Sequence, residues 1–224
     1  MALAIAKLLA PDGSHLGTAF AVSEFLALTA FHCIGDRMTG VVNHRKTTLR
    51  WRTGPHRSNA EYVGGDTELD YALLEIRPKL KPEFDLKPLN IPNRTPTPFD
   101  FESMGFPTAL REVEFPKVVG EVRSYDTLIL NRVPAIQLYC KDAASGLSLR
   151  GMSGAPVIVG PDMALGLIRW NPEDKDGLAM GGMVFATLVL SIFEQRPVFF
   201  RDAKRFRFDP SPFNVLGHPN WPPA

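Results

Sequence analysis

The feature that most constrains the fold of this chain is a long succession of short apolar runs, separated by turn residues. Runs of this kind lie at residues 16–22, 25–30, 47–52, 71–76, 117–122, 127–130, 135–139, 155–159, 164–170 and 182–186. Strands that follow one another at such spacing are typical of β-barrels and sandwiches. Residues 1–13 contain a further short apolar run. Lys7 interrupts this run and no small-residue cleavage site follows it, so we interpret it as a strand and not as a signal peptide. The sequence therefore predicts an all-β fold.

Breaks in this pattern divide the chain. Residues 81–100 are rich in proline and poor in periodicity, which indicates a crossing between two β units. The one convincing helical pattern covers residues 187–195, and Pro197 ends it. We predict four parts: an N-terminal barrel at 1–85, a connector at 86–100, a C-terminal barrel with a terminal helix at 101–196, and an irregular tail at 197–224.

Composition argues against several classes of protein. The chain has 224 residues, of which 45% are hydrophobic and 22% charged, enough for one large domain or two small cores. A net charge of +1 gives no field for nucleic acid, and no apolar stretch has the length of a membrane helix. Cys33 and Cys140 are the only cysteines, whereas secreted domains of this kind carry several disulfides. We expect free thiols, a cytoplasmic location, and neither a nucleic-acid nor a membrane partner.

Three stretches place reactive side chains at the ends of predicted strands. RGMSGAPVI, residues 150–158, sets Ser153 between glycines, His32 follows one apolar run, and Asp70 precedes another. Each has a plain alternative when taken alone: a turn serine, a core histidine or a strand-capping aspartate. Asp66 is the alternative to Asp70 as the acidic residue that would act together with His32 and Ser153.

In chain order, the motifs T-A-x-H-C, D-x-A-L-L-x-[IL] and G-x-S-G-x-P-V resemble the three signatures of the chymotrypsin-like (trypsin-fold) serine peptidases. LGLIRW, residues 165–170, is similar to the strand that lines their substrate cleft, and residues 181–194 are similar to their last strand and helix. The resemblance covers about residues 16–195 and implies two packed six-stranded antiparallel β-barrels. Motif position favours Asp70 over Asp66.

The resemblance implies a serine endopeptidase that works through an acyl-enzyme and needs no metal or cofactor. His32 would act as the base for Ser153, while Asp70 would orient the imidazole. The backbone N–H groups of Gly151 and Ser153 would form the oxyanion hole. An ordinary turn glycine is the alternative for Gly151, and Gly154 would shape the turn.

The substrate pocket is less well specified. Leu147 maps to the base of the family's pocket, and the walls map near Arg169, Trp170, Asn171 and Gly182. Leu147 lacks the acidic group that would attract Lys or Arg, so we expect a small or apolar P1 residue. Arg169 replaces a small residue and could point away, narrow the cleft or attract an acidic group; a solvated strand arginine is its alternative. A core tryptophan is the alternative for Trp170.

Departures from the family concern activation. Met152 stands where zymogen-activated members carry an aspartate that pairs with a newly cut N-terminus, and Cys33 lacks its usual upstream disulfide partner. We expect no propeptide activation, and a site that is either formed constitutively or switched by a partner or larger assembly. The chain is most similar to intracellular bacterial trypsin-like peptidase domains. This implies a regulated effector protease of signalling or antiviral defence, with a protein or peptide substrate.

Two alternatives stay open. A catalytically silent or latent trypsin-fold module would bind without cleaving. An interaction subunit would act through the aromatic and basic tail from Val198 onward.

Overall fold

The computed structural model of the protein describes residues 1–92, 100–110, 116–129, 133–170, 180–200 and 205–206. Within these ranges the strands form two closed antiparallel barrels of six strands each. The predicted all-β class and the two-barrel architecture are thereby confirmed. No helix in the described ranges is both long and apolar enough to cross a bilayer.

The first barrel alternates buried and exposed side chains along its outer strands. In the strand Lys46–Trp51, Thr47, Leu49 and Trp51 point inward while Lys46 and Arg50 are exposed, as the two-residue period of a strand requires. The six strands of this barrel are β1 (Ile5–Leu9), β2 (His15–Ala21), β3 (Leu26–Thr29), β4 (Lys46–Trp51), β5 (Arg57–Asp66) and β6 (Tyr71–Arg77). Around the barrel they follow the order β1-β2-β3-β6-β5-β4.

The second barrel repeats the same order: its first three strands along the chain are followed around the barrel by the sixth, the fifth and the fourth. A short helix follows its third strand and another follows its last, so the predicted terminal helix is present. The strands are β7 (Asp100–Met104), β8 (Lys117–Ile129), β9 (Val133–Cys140), β10 (Pro156–Val159), β11 (Met163–Trp170) and β12 (Met183–Leu188). The helices are α1 (Lys141–Ala144) and α2 (Val189–Gln195).

Two strands escaped the sequence analysis. β5 carries polar and glycine residues with few apolar ones, and β7 lies at the edge of the proline-rich stretch, so neither shows a clear apolar alternation. The runs predicted at 117–122 and 127–130 belong to one strand, β8, whose pairing with β9 is irregular between Val122 and Thr127. That irregularity is what interrupts the apolar pattern.

Short elements connect the barrels. Two pairs of two-residue parallel strands, Ala2–Leu3 with Leu86–Lys87 and Ile91–Pro92 with Arg205–Phe206, occupy part of the predicted connector and tail. The 3₁₀ turns are Phe31–Cys33, Pro82–Phe84, Thr108–Leu110, Met180–Gly182 and Pro197–Phe200. The connector residues 93–99 and the tail residues 201–204 and 207–224 lie outside the described residues.

The barrels share apolar packing. The core of the first barrel continues into the second through Ile158, Ala164 and Leu167, and into α2 through Val189 and Ile192. A separate core fills the second barrel and includes the side chain of the loop residue Met152.

Candidate active site

His32 and Asp70 form a hydrogen-bonded pair at the ends of two neighbouring strands. His32 lies in the turn that follows β3, and its Nδ1 is 2.8 Å from Oδ2 of Asp70. The other carboxylate oxygen accepts the backbone N–H of His32 at 3.0 Å. A carboxylate only accepts hydrogen bonds, so Nδ1 carries the proton and Nε2 keeps its lone pair in the neutral ring. Asp70 is fully buried, whereas 34% of the His32 side chain is exposed.

Two opposing effects act on the pKa of His32. Burial lowers the pKa, because it disfavours the charged ring, while hydrogen bonds to the Asp70 carboxylate and to Cys33 raise it. The second effect is the stronger, so the pKa of His32 lies above its ordinary value of 6.5. The pair therefore holds a proton more firmly than a free imidazole does.

The turn before β6 separates the two candidate aspartates. The carboxylate of Asp66 accepts the backbone N–H groups of Glu68 and Leu69, each at 2.8 Å, and so serves the turn itself. Asp70 has a left-handed backbone conformation, with φ of 55°, which non-glycine residues adopt rarely. The carbonyl of Asp70 accepts the N–H of Phe31 at 3.3 Å. Asp70 is thus the aspartate that faces His32.

The turn that carries Ser153 lies against the first barrel. The Ser153 carbonyl accepts the Thr18 N–H at 2.8 Å and is 3.6 Å from Sγ of Cys33, the residue after His32. On the other side, the Gly154 N–H donates to the Ile168 carbonyl of β11 at 2.7 Å. Among the described residues, no hydrogen bond joins the Ser153 hydroxyl to His32. The two residues come together as neighbouring turns, and such contacts commonly tighten only when substrate binds.

Both glycines beside Ser153 are required by close packing. Gly151 and Gly154 have φ of 94° and 82°, in the left-handed region. A Cβ on Gly154 would lie 2.2 Å from the Thr18 carbonyl oxygen, and one on Gly151 would lie 2.5 Å from the Phe106 carbonyl oxygen. Any side chain at either position would push this turn away from its neighbours.

The peptide between Arg150 and Gly151 has a fixed orientation. Its carbonyl accepts the Thr108 N–H at 2.7 Å and the Thr108 hydroxyl at 3.3 Å. In a trans peptide the N–H points opposite to the carbonyl. The Gly151 N–H therefore points away from Thr108, and neither it nor the Ser153 N–H donates to any described residue. Two such donors beside a hydroxyl can stabilise an oxyanion.

Thr18, which the sequence analysis did not single out, holds the next peptide. Its buried hydroxyl donates to the Gly151 carbonyl at 2.9 Å and accepts the Phe106 N–H at 3.2 Å. A threonine inside an apolar strand was the available signal, because buried hydroxyls need hydrogen-bond partners.

The residues predicted to line the substrate pocket have different environments. Leu147 is half-buried and packs on the core of the second barrel. Gly182 is buried with φ of 72°, and a Cβ there would lie 2.7 Å from the Cys140 carbonyl oxygen. The Trp170 side chain and all of Asn171 lie outside the described residues.

Arg169 is only 2% exposed, so it is not the solvated strand arginine that the sequence allowed. Its guanidinium donates to the Glu68 carbonyl at 3.0 Å and to the Thr187 hydroxyl at 3.5 Å. It lies beneath the turn that leads to Asp70. Sequence reasoning gave no signal for this contact, which joins residues from different barrels.

Both cysteines are buried, and neither forms a disulfide bond. In the described ranges, no three His, Cys, Asp or Glu side chains come close enough together to hold a metal ion.

A family model described as Trypsin matches residues 4–188. The chain belongs to the trypsin family. Membership confirms the resemblance that three short motifs had indicated, and it places the protein among the serine-type peptidases, which are hydrolases. No curated protein sequence matches the chain.

Solved structures of trypsin-family proteases share the two-barrel fold. The inactive form of the Rv3671c protease has 18% identity and a TM-score of 0.60, with 88% of each chain covered. Kallikrein-related peptidase 10 has 17% identity and a TM-score of 0.66, covering 87% of this chain and 94% of its own. The HtrA-type protease AlgW, solved with a decapeptide, has 19% identity and a TM-score of 0.68 over 91% of this chain. The chain spans 66% of the length of AlgW.

Proposed function

We propose that this trypsin-family protein is a serine endopeptidase that uses His32, Asp70 and Ser153. The observation that carries the proposal is the buried Asp70 carboxylate, 2.8 Å from the His32 ring and directly behind the turn that meets Ser153. A serine hydroxyl needs a base to become a nucleophile, and an imidazole held in one tautomer by a carboxylate can supply it.

The proposed reaction has two halves. The Ser153 hydroxyl adds to the scissile carbonyl and gives its proton to Nε2 of His32, and the C–N bond then breaks as His32 returns that proton to the leaving amine. Water repeats the sequence on the acyl-enzyme, releasing the acid and the free serine. Asp70 keeps the Nδ1 proton on the far side of the ring and stabilises the imidazolium that forms in each half.

The N–H groups of Gly151 and Ser153 would hold the oxyanion. In support, the Arg150 carbonyl is bound by Thr108, which turns the Gly151 N–H the opposite way. Losing one such donor typically lowers the rate by about 100- to 1,000-fold.

We propose a protein or peptide substrate with a small or apolar P1 residue, held among Leu147, Trp170 and Gly182. The apolar side chain of Leu147 supports this preference, because it brings no charge to the position expected at the base of the pocket. The AlgW structures contain bound peptides, in keeping with a peptide-binding cleft in this fold. Cleavage of a peptide library would read the P1 preference directly.

We also propose a regulated effector peptidase of the bacterial cytoplasm, in signalling or antiviral defence, controlled by a partner or assembly. Met152 supports a site that needs no propeptide removal, because its fully buried side chain anchors the turn by apolar packing. Two unbonded thiols suit a reducing compartment. If a partner is required, Ser153 will label faster in lysate than in the purified protein at equal concentration.

A fluorophosphonate probe tests the enzyme proposal. We expect the purified protein to label, with intact mass spectrometry placing the adduct on Ser153. Ser153→Ala and His32→Ala should abolish labelling, whereas Ser145→Ala, which alters an exposed serine after α1, should leave it unchanged. Labelling that survives Ser153→Ala, or a wild-type protein that does not label even in lysate, would contradict the proposal.

A further inference from the structure

The turn that leads to Asp70 offers three consecutive backbone carbonyls, and each is bound by a side chain. Nε of Arg37 donates to the Thr67 carbonyl at 3.1 Å. Nη2 of Arg169 donates to the Glu68 carbonyl at 3.0 Å, and the Thr187 hydroxyl donates to the Leu69 carbonyl. We name Arg37, Arg169 and Thr187 the carbonyl clamp.

The carbonyl clamp draws on both barrels. Arg37 follows the His32 turn of the first barrel, while Arg169 lies on β11 and Thr187 on β12 of the second. Arg169 also reaches the Thr187 hydroxyl at 3.5 Å, and Nη2 of Arg37 lies 3.5 Å from the Glu68 carbonyl that Arg169 binds. The three side chains thus form one connected network across the interface between the barrels.

Burying an arginine here carries a large desolvation cost. Arg169 is only 2% exposed, its Nε has no hydrogen-bond partner among the described residues, and a guanidinium keeps its charge in proteins. Burial lowers the pKa of Arg169, while the negative charges of Asp70 and Asp66 raise it. Arg37 adds a second cation, 3.5 Å from Oδ2 of Asp70. Because apolar residues can often replace buried charged groups without loss of stability, we infer that this guanidinium has a task besides packing.

That task concerns the backbone of Asp70. A non-glycine residue with φ of 55° is strained, and such a conformation persists only where its surroundings hold it. The carbonyl clamp binds the carbonyls of the three residues immediately before Asp70. It can therefore fix the backbone of this turn and, with it, the direction in which the Asp70 carboxylate points.

We propose that Arg169, together with Arg37 and Thr187, is a positioning residue that holds Asp70 against His32 through the carbonyls of residues 67–69. The inference rests on the proposed function, since it assigns how that triad is kept in register. It makes the alignment of the first barrel's histidine and aspartate dependent on the docking of the second barrel.

Two substitutions of Arg169 separate positioning from charge. Arg169→Lys keeps the charge but loses the planar fork that binds two acceptors, and Arg169→Met loses both. We expect both to lower the maximal rate of fluorophosphonate inactivation by on the order of 10- to 100-fold, because displacing a catalytic group by about 1 Å has effects of this size. The inactivator's half-saturation concentration should change less than twofold. Arg50→Met, which removes an exposed strand arginine, is the matched control and should match wild type.

The pH profile of inactivation distinguishes positioning from simple loss of stability. His32 faces Asp70 and Cys33, and the turn beside them faces Arg37, Arg169 and Asp66. A loosened Asp70 would raise the proton affinity of His32 less, so both Arg169 variants should shift the midpoint of the profile to lower pH. Loss of a neighbouring cation alone would shift it to higher pH and only in Arg169→Met. If the substitution only destabilised the fold, the molecules that remain folded would show the same pH midpoint of inactivation as wild type.

A measurement that does not need catalysis completes the test. The His32 Nδ1–H, bonded to a carboxylate, should give a strongly downfield proton NMR signal, assigned by its loss in His32→Ala. We expect that signal in wild type and Arg50→Met, and its broadening or upfield shift in both Arg169 variants. A wild type that shows the signal but never labels would overturn the proposed function and leave the clamp standing. An unchanged signal with unchanged labelling in Arg169→Met would overturn the clamp.

Discussion

At the scale of single residues, the balance of forces on His32 would decide the pH at which this residue can act as the proposed base for Ser153. Burial disfavours the charged ring, and the bonds to Asp70 and Cys33 favour it more strongly. The base form predominates only above the resulting pKa, which lies higher than 6.5. By the same linkage, the stability contributed by protonated His32 is fully present below 6.5 and is lost as pH rises through the folded-state pKa.

This balance predicts an alkaline rise in reactivity. The second-order rate of fluorophosphonate labelling should increase with pH through a midpoint above 6.5. Asp70→Asn removes the main opponent of burial, so its midpoint should fall, and its plateau should drop by about 10⁴ because the tautomer is no longer enforced. His44→Gln, at a histidine away from the pair, serves as the control. A wild-type midpoint below 6.5 would contradict the prediction.

Gly154 has no room for a side chain, and Gly146 provides a matched comparison. Both have positive φ, 82° and 95°, but a Cβ on Gly146 would meet nothing within 4 Å. Gly146→Ala should therefore cost only the backbone strain, about 1 kcal/mol, or roughly 2–4 °C in Tm. Gly154→Ala should lower Tm further and abolish labelling, because the added carbon meets the Thr18 carbonyl. Equal Tm values with intact labelling in both variants would show that this turn can yield.

The sequence could name His32, Asp70 and Ser153 as candidates, because the three motifs around them resemble the signatures of the chymotrypsin-like serine peptidases. It named Arg169 only as a candidate wall of the substrate pocket, and it did not indicate Arg37 or Thr187. Their proposed role depends on the backbone carbonyls of residues 67–69, and a sequence does not show which side chain will bind a backbone carbonyl.

At the scale of elements, β2 controls the turn around Ser153. Thr18, at its centre, offers its N–H to the Ser153 carbonyl and its hydroxyl to the Gly151 carbonyl. One strand of the first barrel thereby holds the peptides on both sides of the proposed nucleophile. The register between β1 and β2, in which Lys7 stands opposite Thr18, sets where these contacts fall.

Removing the Thr18 hydroxyl should disturb this turn without changing the shape of the strand. Thr18→Val leaves the Gly151 carbonyl and the Phe106 N–H unpaired, which should lower the free energy of unfolding by about 1–3 kcal/mol. Labelling should slow at least about tenfold, since an oxyanion donor is displaced. Thr18→Ser keeps the hydroxyl and should restore most of the rate. If Thr18→Val labelled as fast as wild type, the Thr18 hydroxyl of β2 would not be needed to hold the turn around Ser153.

Elements with clear periodicity were predictable and the others were not. β3 and β6 are buried along almost their whole length, so they appear in the sequence as runs of mostly apolar residues. β5 hides its strand character because only Ser58 and Ala60 are buried among its ten residues. Its place is determined by pairing with β4 and β6, contacts that lie far apart in sequence.

At the scale of the whole molecule, the two barrels behave as one packed unit. Leu167 of β11 is fully buried in the core that belongs mainly to the first barrel. The candidate site also takes residues from both barrels. Loss of packing at the interface should therefore remove fold and site together.

Urea unfolding tests this coupling. The transitions followed by far-ultraviolet circular dichroism and by residual labelling should coincide. Leu167→Ala should move both to lower urea concentration, by about 2–5 kcal/mol in the free energy of unfolding. Leu128→Ala, at a leucine with 59% exposure, should stay within about 0.5 kcal/mol of wild type. If labelling disappears well before the circular dichroism signal, the barrels separate before they unfold.

Because Ser153 contacts both barrels, the order in which the chain is synthesised determines when its surroundings can form. A ribosome makes residues 5–77, and with them every strand of the first barrel, before it reaches the serine. The hydrogen bond from the Gly154 N–H to the Ile168 carbonyl can form only after Ile168 has been made. The second barrel can close only after β12 has followed. A growing chain thus carries His32 and Asp70 before the proposed nucleophile, Ser153, has been made. The candidate site is therefore completed only after the strands of both barrels have been made.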